Sequence, residues 1–421
     1  MDLCDVDLTD ADVFQRGVPH EMFALLRREA PVYWHDERDG PGFFALTKYA
    51  DVRLVSSQPE VFSSERMGTL RLDPPEPVLR MVRNMMLNMD PPKHRRYRAL
   101  VSKAFTPRIV QRLQAKVGDM VTRILDGVIE RGACDFVDDI AAILPMEVIC
   151  EMMGVPREDR RDVYAIGNKL VGFEDPELQP DGRPVDIATA DAGAAFGEMF
   201  AYADKLRDLA LRRPSDNLAT ALVHADLDGE TLSAEDFQWF FQLLVVAGNE
   251  TTRTVTCNGL LDLLANPEQL DAVRAAPTLV PSAVEEMVRF NPPVHAFRRQ
   301  TTRPTEIRGV PIPANTKVML WYPSANRDEE VFEDGDRFDV RREPNDHLSF
   351  GIGEHYCLGA NLARLELREM FAGIVARLYD IQLAAPPRRL RSTFVNGVKE
   401  MRITFRPGLP IGTERAGCAA E

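Results

Sequence analysis

One cysteine, Cys357, stands in a glycine-rich segment whose composition suits chemistry on sulfur. The segment reads "FGIGEHYCLGANLARLE", with glycines at positions 351, 353 and 359. Glycine adopts backbone angles closed to other residues and lets the chain approach a flat partner closely. The residues that follow have helical spacing, so the sulfur would lie near a helix N-terminus, whose partial positive charge favours thiolate over thiol.

Three interpretations of Cys357 are open on these residues. A free cysteine is most often a small buried hydrophobic side chain. A nucleophile would need an orienting base, and no Cys/His/Asn set can be assigned, since His355 lies only two residues away. A metal ligand would need further ligands, and no Cys/His cluster has zinc spacing, whereas a porphyrin would supply those ligands itself.

A long helix is predicted from Ser233 to about Ala265. Ser233 and Asp236 make a capping-box start, and an Asn-Pro pair follows the last helical residue. A helix of about 30 residues is roughly 45 Å long, so it would cross the whole molecule.

The middle of this helix, "LLVVAGNETTR", is apolar until residues 248–252 interrupt it. Glycine in a helix interior costs roughly 1 kcal/mol relative to alanine, and threonine hydroxyls compete for backbone carbonyls. We therefore expect a locally widened turn here, which would be either a functional site or a plain surface turn.

The chain as a whole favours one large enzyme domain, residues 1–421, that is mainly α with a minor β-sheet. Helical periodicity dominates, and short strand-like segments such as "GFFALT" and "TKVMLWY" are scattered between the helices. The N-terminus has no signal-peptide pattern and no apolar run is long enough to span a membrane, so we expect a cytoplasmic protein. The net charge of −14 argues against nucleic acid as a partner.

Four motifs together resemble the cytochrome P450 superfamily, in particular its bacterial, actinobacterial-like heme-thiolate monooxygenases. "FGIGEHYCLG" looks like the heme-binding signature, and "AGNETT", residues 247–252, is similar to the oxygen-activation segment of the central helix. "EMVR", residues 286–289, matches the Glu-x-x-Arg helix, and "DPPKHRRYR", residues 90–98, resembles an early helix with a His-x-x-x-Arg pair. The resemblance covers essentially the whole chain and implies the P450 fold, with heme b between the central helix and the cysteine loop.

The resemblance implies that Cys357 is the proximal iron ligand. The residues that match family positions on the heme propionates are His94, Arg98, Arg299 and His355. Two carboxylates in an apolar cleft need such donors, although an exposed basic residue is the ordinary alternative for each. The register leaves Arg298 open as a substitute, and the spacing to Gly309 favours Arg299.

Glu286 and Arg289 lie three residues apart on one helix face and by themselves predict a modest surface pair. The resemblance implies instead a buried structural pair, joined by an arginine from "DRFDVRREP". Arg337, Arg341 and Arg342 are all open for that position.

Glu250 and Thr251 resemble the family's acid–alcohol pair, which organises water and delivers protons during oxygen activation. Many relatives carry aspartate at the acidic position, so the longer Glu250 side chain changes the geometry of proton delivery. The presence of this pair argues against a peroxygenase function. A non-catalytic heme sensor would not need such a pair.

The resemblance places Val246, Ala247, Val294 and Phe297 against the substrate. The implied reaction is insertion of one oxygen atom into an apolar C–H or C=C bond of a sterol, terpenoid or methyl-branched lipid, or alternatively the tailoring of a secondary metabolite such as a macrolide or polyketide. The basic run 93–98 is either a solvated helix face or a docking site for a small acidic ferredoxin, because the chain contains no reductase motif of its own.

Overall fold

The computed structural model describes residues 1–38, 40–179, 181–184, 190–227 and 230–412. Helices make up most of it. They are, in chain order, α1 (Ala11–Arg16), α2 (His20–Glu29), α3 (Tyr49–Ser56), α4 (Glu76–Val82), α5 (Lys93–Ser102), α6 (Pro107–Ile129), α7 (Ile143–Met153), α8 (Arg160–Val171), α9 (Ala190–Arg212), α10 (Leu218–Val223), α11 (Ala234–Ala265), α12 (Pro267–Ala275), α13 (Val280–Phe290), α14 (Tyr322–Ala325) and α15 (Ala360–Arg377).

Short strands lie between the helices. They are β1 (Val32–His35), β2 (Phe43–Leu46), β3 (Phe62–Ser63), β4 (Ala133–Asp135), β5 (Asp226–Leu227), β6 (Glu230–Thr231), β7 (Ala296–Thr301), β8 (Thr305–Ile307), β9 (Val310–Ile312), β10 (Lys317–Trp321), β11 (Tyr379–Leu383), β12 (Arg388–Arg389), β13 (Val398–Glu400) and β14 (Arg402–Arg406). The largest sheet has the order β1-β2-β10-β7-β3. The prediction of a mainly helical protein with a minor sheet is confirmed.

The central helix α11 has the predicted bounds. Ser233 Oγ accepts a hydrogen bond of 3.0 Å from the backbone N–H of Asp236, and the Asp236 side chain accepts one from Ser233, so the capping box is formed. The helix ends at Asn266. Its 32 residues span about 48 Å, and most of its length is buried by α7, α8, α9 and α15.

The expectation of a widened turn at residues 248–252 is wrong, because the helix is regular α through this stretch. The Thr251 hydroxyl donates to the carbonyl of Ala247 at 2.7 Å, so it adds a bond to a carbonyl of the preceding turn. Packing on several sides outweighs the weak local propensity of the segment. A widened, π-type turn occurs instead at Val137–Ala141, just before α7.

A single large apolar core holds the helices that flank the functional segments. It combines side chains of α6, α7, α11, α13 and α15, and α15 packs along α6 and α13. The loop before α15 is thereby anchored to the core at its C-terminal end. In the described parts of the chain, no helix is both long and apolar enough to cross a membrane.

Candidate active site

The cysteine loop is a tight turn between Phe350 and α15. The backbone N–H of Cys357 donates to the carbonyl of Phe350 at 2.7 Å, which closes the loop. Gly351 and Gly353 have φ values of 68° and 73°, in the left-handed region that favours glycine. A Cβ at Gly353 would lie 2.7 Å from the carbonyl oxygen of Ser56, so that position also needs glycine for space.

The side chain of Cys357 is exposed within a cleft of the protein, so it is not a buried hydrophobic thiol. Enclosure by the surrounding protein raises the thiol pKa; the backbone N–H groups of Gly359 and Ala360 and the charges of Arg98 and Arg364 oppose that shift. The N–H groups at the start of α15 therefore favour the thiolate, as expected, but burial outweighs them. A raised pKa argues against a free nucleophile, whereas a bound metal ion would deprotonate the sulfur outright.

Basic side chains from three elements converge beside this loop. His94 and Arg98 come from α5, Arg299 from β7 and His355 from the cysteine loop. The rings of His94 and His355 lie 4.3 Å apart, and His355 Nε2 lies 3.2 Å from Ser64 Oγ. Arg98 donates to the Tyr356 carbonyl at 2.6 Å.

The two arginines of this basic cluster have no matching negative charge in the described chain, whereas His94 Nδ1 lies 3.8 Å from a carboxylate oxygen of Glu354. Within the described ranges, no carboxylate lies at ion-pairing distance from Arg98 or Arg299, and Arg299 donates only to the Arg298 carbonyl at 2.7 Å. Burial lowers the pKa of both arginines, and burial with the neighbouring positive charges of Arg299, His94 and Arg98 lowers the pKa of His355 to about 2. Because uncompensated buried cations are costly, the cluster fits a guest that carries carboxylates.

The alternation of side chains along β7 separates Arg298 from Arg299. Arg298 lies on the opposite face, where it pairs with Asp73 at 2.7 Å and donates to Gln300 at 2.8 Å. Its ion pair thus lies away from the cysteine loop, which favours Arg299 for the basic cluster.

On the central helix, Glu250 is buried and forms an ion pair with Arg253. Arg253 also donates to the Tyr164 hydroxyl at 2.8 Å and to Asn168 at 3.1 Å, both on α8. The carboxylate of Glu250 thus points toward α8, while Thr251 is only partly buried and bonds within its own helix.

Most of the predicted substrate-facing residues converge on one loop between β12 and β13. Val246 packs with Phe394 and Val395, Val294 forms a backbone bridge with Val395, and the ring of Phe297 lies 5.7 Å from that of Phe394. Ala247 is exposed one turn before Thr251. Sequence reasoning missed Phe394 and Val395, since an apolar pair in a hairpin loop carries no distinctive signal.

Glu286 and Arg289 are fully buried, so the surface pair expected from their spacing alone is wrong. Arg289 donates two hydrogen bonds, of 2.7 and 2.8 Å, to the Glu286 carboxylate. Arg342 is the third member, with Nε 3.2 Å from Glu286, and its remaining donors bond backbone carbonyls including that of Arg337. The triad ties α13 to the segment before the cysteine loop.

The outer side of α5 is joined to the cysteine loop by an ion pair. Arg95, which is exposed, donates from Nε to Glu354 at 2.8 Å. Tyr356, 40% exposed, lies next to Cys357 and its hydroxyl accepts from Arg364 at 3.2 Å. The sequence analysis had not singled out Tyr356 or Arg364.

Comparison with known proteins identifies related chains along nearly the full length. The family model for cytochrome P450 matches residues 199–382. The chain is 38% identical to a steroid C26-monooxygenase of Rhodococcus jostii, over 98% of this chain and 86% of the relative. It is 40% identical to a methyl-branched lipid omega-hydroxylase of Mycobacterium tuberculosis, over 96% of this chain and 95% of the relative.

Among solved structures, the fold matches that of Mycobacterium marinum cytochrome P450 CYP268A2 in complex with pseudoionone. The TM-score is 0.88 at 36% sequence identity, and the match covers 95% of this chain and 98% of the other.

Proposed function

This chain belongs to the cytochrome P450 family and is a monooxygenase with the fold of that family, and we propose a role for each residue of the candidate site. The heme would be held between α11 and the Cys357 loop, within a single domain that spans the chain. The observation that carries this proposal is an exposed thiol beside two arginines, Arg98 and Arg299, that have no carboxylate partner in the described chain.

Cys357 would ligate the iron, and Arg98, Arg299, His94 and His355 would hold the two propionates. Arg299 has donors to spare and so suits an anionic guest. When bound, the group would supply O₂ activation, and a cysteine thiolate ligand favours O–O cleavage. The heme would be of type b; the sequence has no Cys-x-x-Cys-His motif, so a heme attached through thioether links is not expected.

Thr251 and Glu250 deliver protons. The Thr251 hydroxyl lies on the partly exposed face of α11 and can relay a proton by releasing its bond to the Ala247 carbonyl. Glu250 is held by Arg253, so it exchanges protons with water only after its carboxylate turns away from that guanidinium. Arg253 therefore sets the resting position of the acid.

The substrate is an apolar molecule of the sterol, terpenoid or methyl-branched lipid class. The apolar lining by Val246, Phe297, Phe394 and the Val294–Val395 bridge supports this class, as do the substrates named for the steroid and methyl-branched lipid relatives. Hydrophobic walls of this kind stabilise a bound ligand in proportion to the apolar area that is buried, and not through hydrogen bonds.

Electrons come from a ferredoxin that docks at residues 93–98, in the cytoplasm. The exposed Arg95 lies on the cysteine side of the molecule, and the whole chain is acidic, so a local basic surface at residues 93–98 suits a small acidic protein.

The test uses the heme-loaded protein with sterols, terpenoids and branched fatty acids. Substrate-induced spin-state shifts identify ligands, and turnover is then compared with ferredoxin, its reductase and NADPH against hydrogen peroxide alone. We expect product only with the electron-transfer system. Equal turnover with peroxide alone would replace the monooxygenase assignment with a peroxygenase.

A further inference from the structure

Three coil segments that are distant in sequence meet at a small cavity beside the substrate-facing residues. Its apolar walls are Leu70, Leu72, Phe173, Met319, Trp321 and Phe394. Two charged side chains, Arg71 and Glu174, also line it. The cavity measures about 20 Å³, which is room for one water-sized group.

The charges around this cavity form a closed set. Lys317 contacts Glu37 at 2.6 Å and Asp73 at 2.7 Å. Arg298 contacts Asp73 at 2.7 Å, and Arg71 contacts Glu37 at 3.0 Å and Glu174 at 3.8 Å. Three cations therefore face three carboxylates, and the set is neutral as it stands.

Both carboxylate oxygens of Glu174 accept hydrogen bonds from the loop between β12 and β13. Glu174 accepts hydrogen bonds from the backbone N–H of Thr393 at 2.6 Å, the Thr393 hydroxyl at 2.9 Å and the Ser392 hydroxyl at 3.1 Å. At 3.8 Å its contact with Arg71 is an ion pair without a hydrogen bond.

Arg71 keeps unused donors. Its hydrogen bond to Glu37 uses Nη1, and its Nε is buried without a hydrogen-bond partner in the described part of the chain. An arginine has five N–H donors, and a buried donor without a partner is costly, so the arrangement favours an incoming acceptor.

Phe394 connects this cavity to the substrate-facing residues. It lines the cavity, its ring lies 5.7 Å from that of Phe297, and it packs in the same cluster as Val246. A ligand lying along Val246 and Phe297 could therefore place one end next to Arg71.

We propose that Arg71 is a specificity-determining residue that donates a hydrogen bond to one neutral oxygen, a ketone or hydroxyl, at the end of an otherwise apolar substrate. A carboxylate is disfavoured because it would add a fourth negative charge to a neutral, largely buried set. The inference rests on the proposed function and narrows its substrate class.

The test uses the heme-loaded protein and three probes with one carbon skeleton: pseudoionone, which is a ketone, the corresponding alcohol, and the acid in which a carboxyl group replaces the acetyl group. Dissociation constants are measured by equilibrium dialysis and by the spin-state shift. We expect the ketone and the alcohol to bind at least about tenfold more tightly than the acid, because only the acid brings an unpaired negative charge into the neutral set.

Three variants test the roles of Arg71 and Glu174 separately. Arg71→Gln is expected to weaken ketone binding about tenfold or more, while Glu37 keeps Lys317 as its partner. Glu174→Gln removes one negative charge and should improve binding of the acid while leaving the ketone nearly unchanged. Arg71→Lys keeps the charge but lacks Nε, so it should weaken ketone binding with an unchanged thermal midpoint. Arg212→Gln, at an exposed arginine of α9, is the control and should change no affinity.

Tighter binding of the acid by the native protein would overturn the inference, and so would unchanged ketone affinity in both Arg71 variants. Either result would leave the proposed function intact if the protein still oxidises apolar ligands. Loss of the thiolate-type spectrum in the native protein would instead count against the proposed function.

Discussion

Glu250 and Arg253 form a buried ion pair within one turn of the central helix, and Arg253 links that pair to Tyr164 and Asn168 of α8. The neighbouring Thr251 bonds only to its own helix, to the carbonyl of Ala247. The acid and the alcohol of the proposed proton-delivery pair are therefore held by different partners, and each can be altered separately.

Replacing Thr251 with alanine should keep the fold and the heme but lower the product formed per NADPH consumed. The hydroxyl lost is bonded inside the helix, so we expect little change in the thermal midpoint. Thr256→Ala is the matched control, because Thr256 makes the same bond, to the Thr252 carbonyl at 2.9 Å. If both variants form the same amount of product per NADPH consumed, Thr251 does not take part in proton delivery.

Replacing Glu286 with glutamine should strongly destabilise the protein. Arg289 and Arg342 would lose their carboxylate in a fully buried site, and breaking such a pair from one side costs about 3–5 kcal/mol. Chemical denaturation of Glu286→Gln, with heme content measured in parallel, checks this. The exposed pair Arg212–Asp208 gives the comparison, since Arg212→Gln should have little effect. Native-like stability of Glu286→Gln would show that the triad is not structural.

The cysteine loop should not tolerate a side chain at Gly353. An alanine there would have a φ of 73° and a Cβ 2.7 Å from the Ser56 carbonyl oxygen, a combination of strain and clash that costs about 1–3 kcal/mol. Gly127→Ala in α6, where a Cβ meets nothing within 4 Å, should instead stabilise by about 1 kcal/mol. Thermal unfolding of the two variants would contradict this account if the midpoints shifted in the same direction.

The contribution of Glu366 of α15 to stability should fall as the pH rises. This carboxyl is buried, and burial raises its pKa to about 8. The folded state then binds the proton more tightly than the unfolded chain, so the contribution is complete below the ordinary value near 4.5 and is lost as the pH rises to about 8. Each pH unit in that window changes the contribution of Glu366 to the free energy of unfolding by about 1.4 kcal/mol.

Glu366→Gln should remove this slope, because glutamine stays neutral. The difference in unfolding free energy between the native protein and Glu366→Gln, measured across the window, is the readout. A difference that does not change with pH would mean that Glu366 titrates normally in the folded state.

Local sequence signals predicted much of the fold. Capping residues and an Asn-Pro stop gave the bounds of α11, because helix ends depend on a few neighbouring side chains. The same local reasoning failed at residues 248–252, where packing by four helices keeps the turn regular. It also failed for Glu286 and Arg289, whose burial comes from a segment about fifty residues away.

Candidate site residues could be predicted where a motif is continuous in sequence, but not where folding brings distant segments together. The resemblance of one continuous motif singled out Cys357 and His355 as candidates, and strand alternation then favoured Arg299 over Arg298. Arg342 could be chosen among three arginines only from its contact with Glu286. Arg71 and Glu174 had no sequence signal, since a cavity between three coil segments exists only in the folded chain.

The reduced-CO difference spectrum of the heme-loaded protein tests the central claim, that Cys357 is the iron ligand, most directly. The native protein should show the strongly red-shifted Soret band of thiolate ligation, and Cys357→Ser should lose that band, while Cys134→Ser, at a cysteine of β4, should keep it. An imidazole-type Soret band in the native protein, or a thiolate-type band that survives in Cys357→Ser, would contradict the assignment.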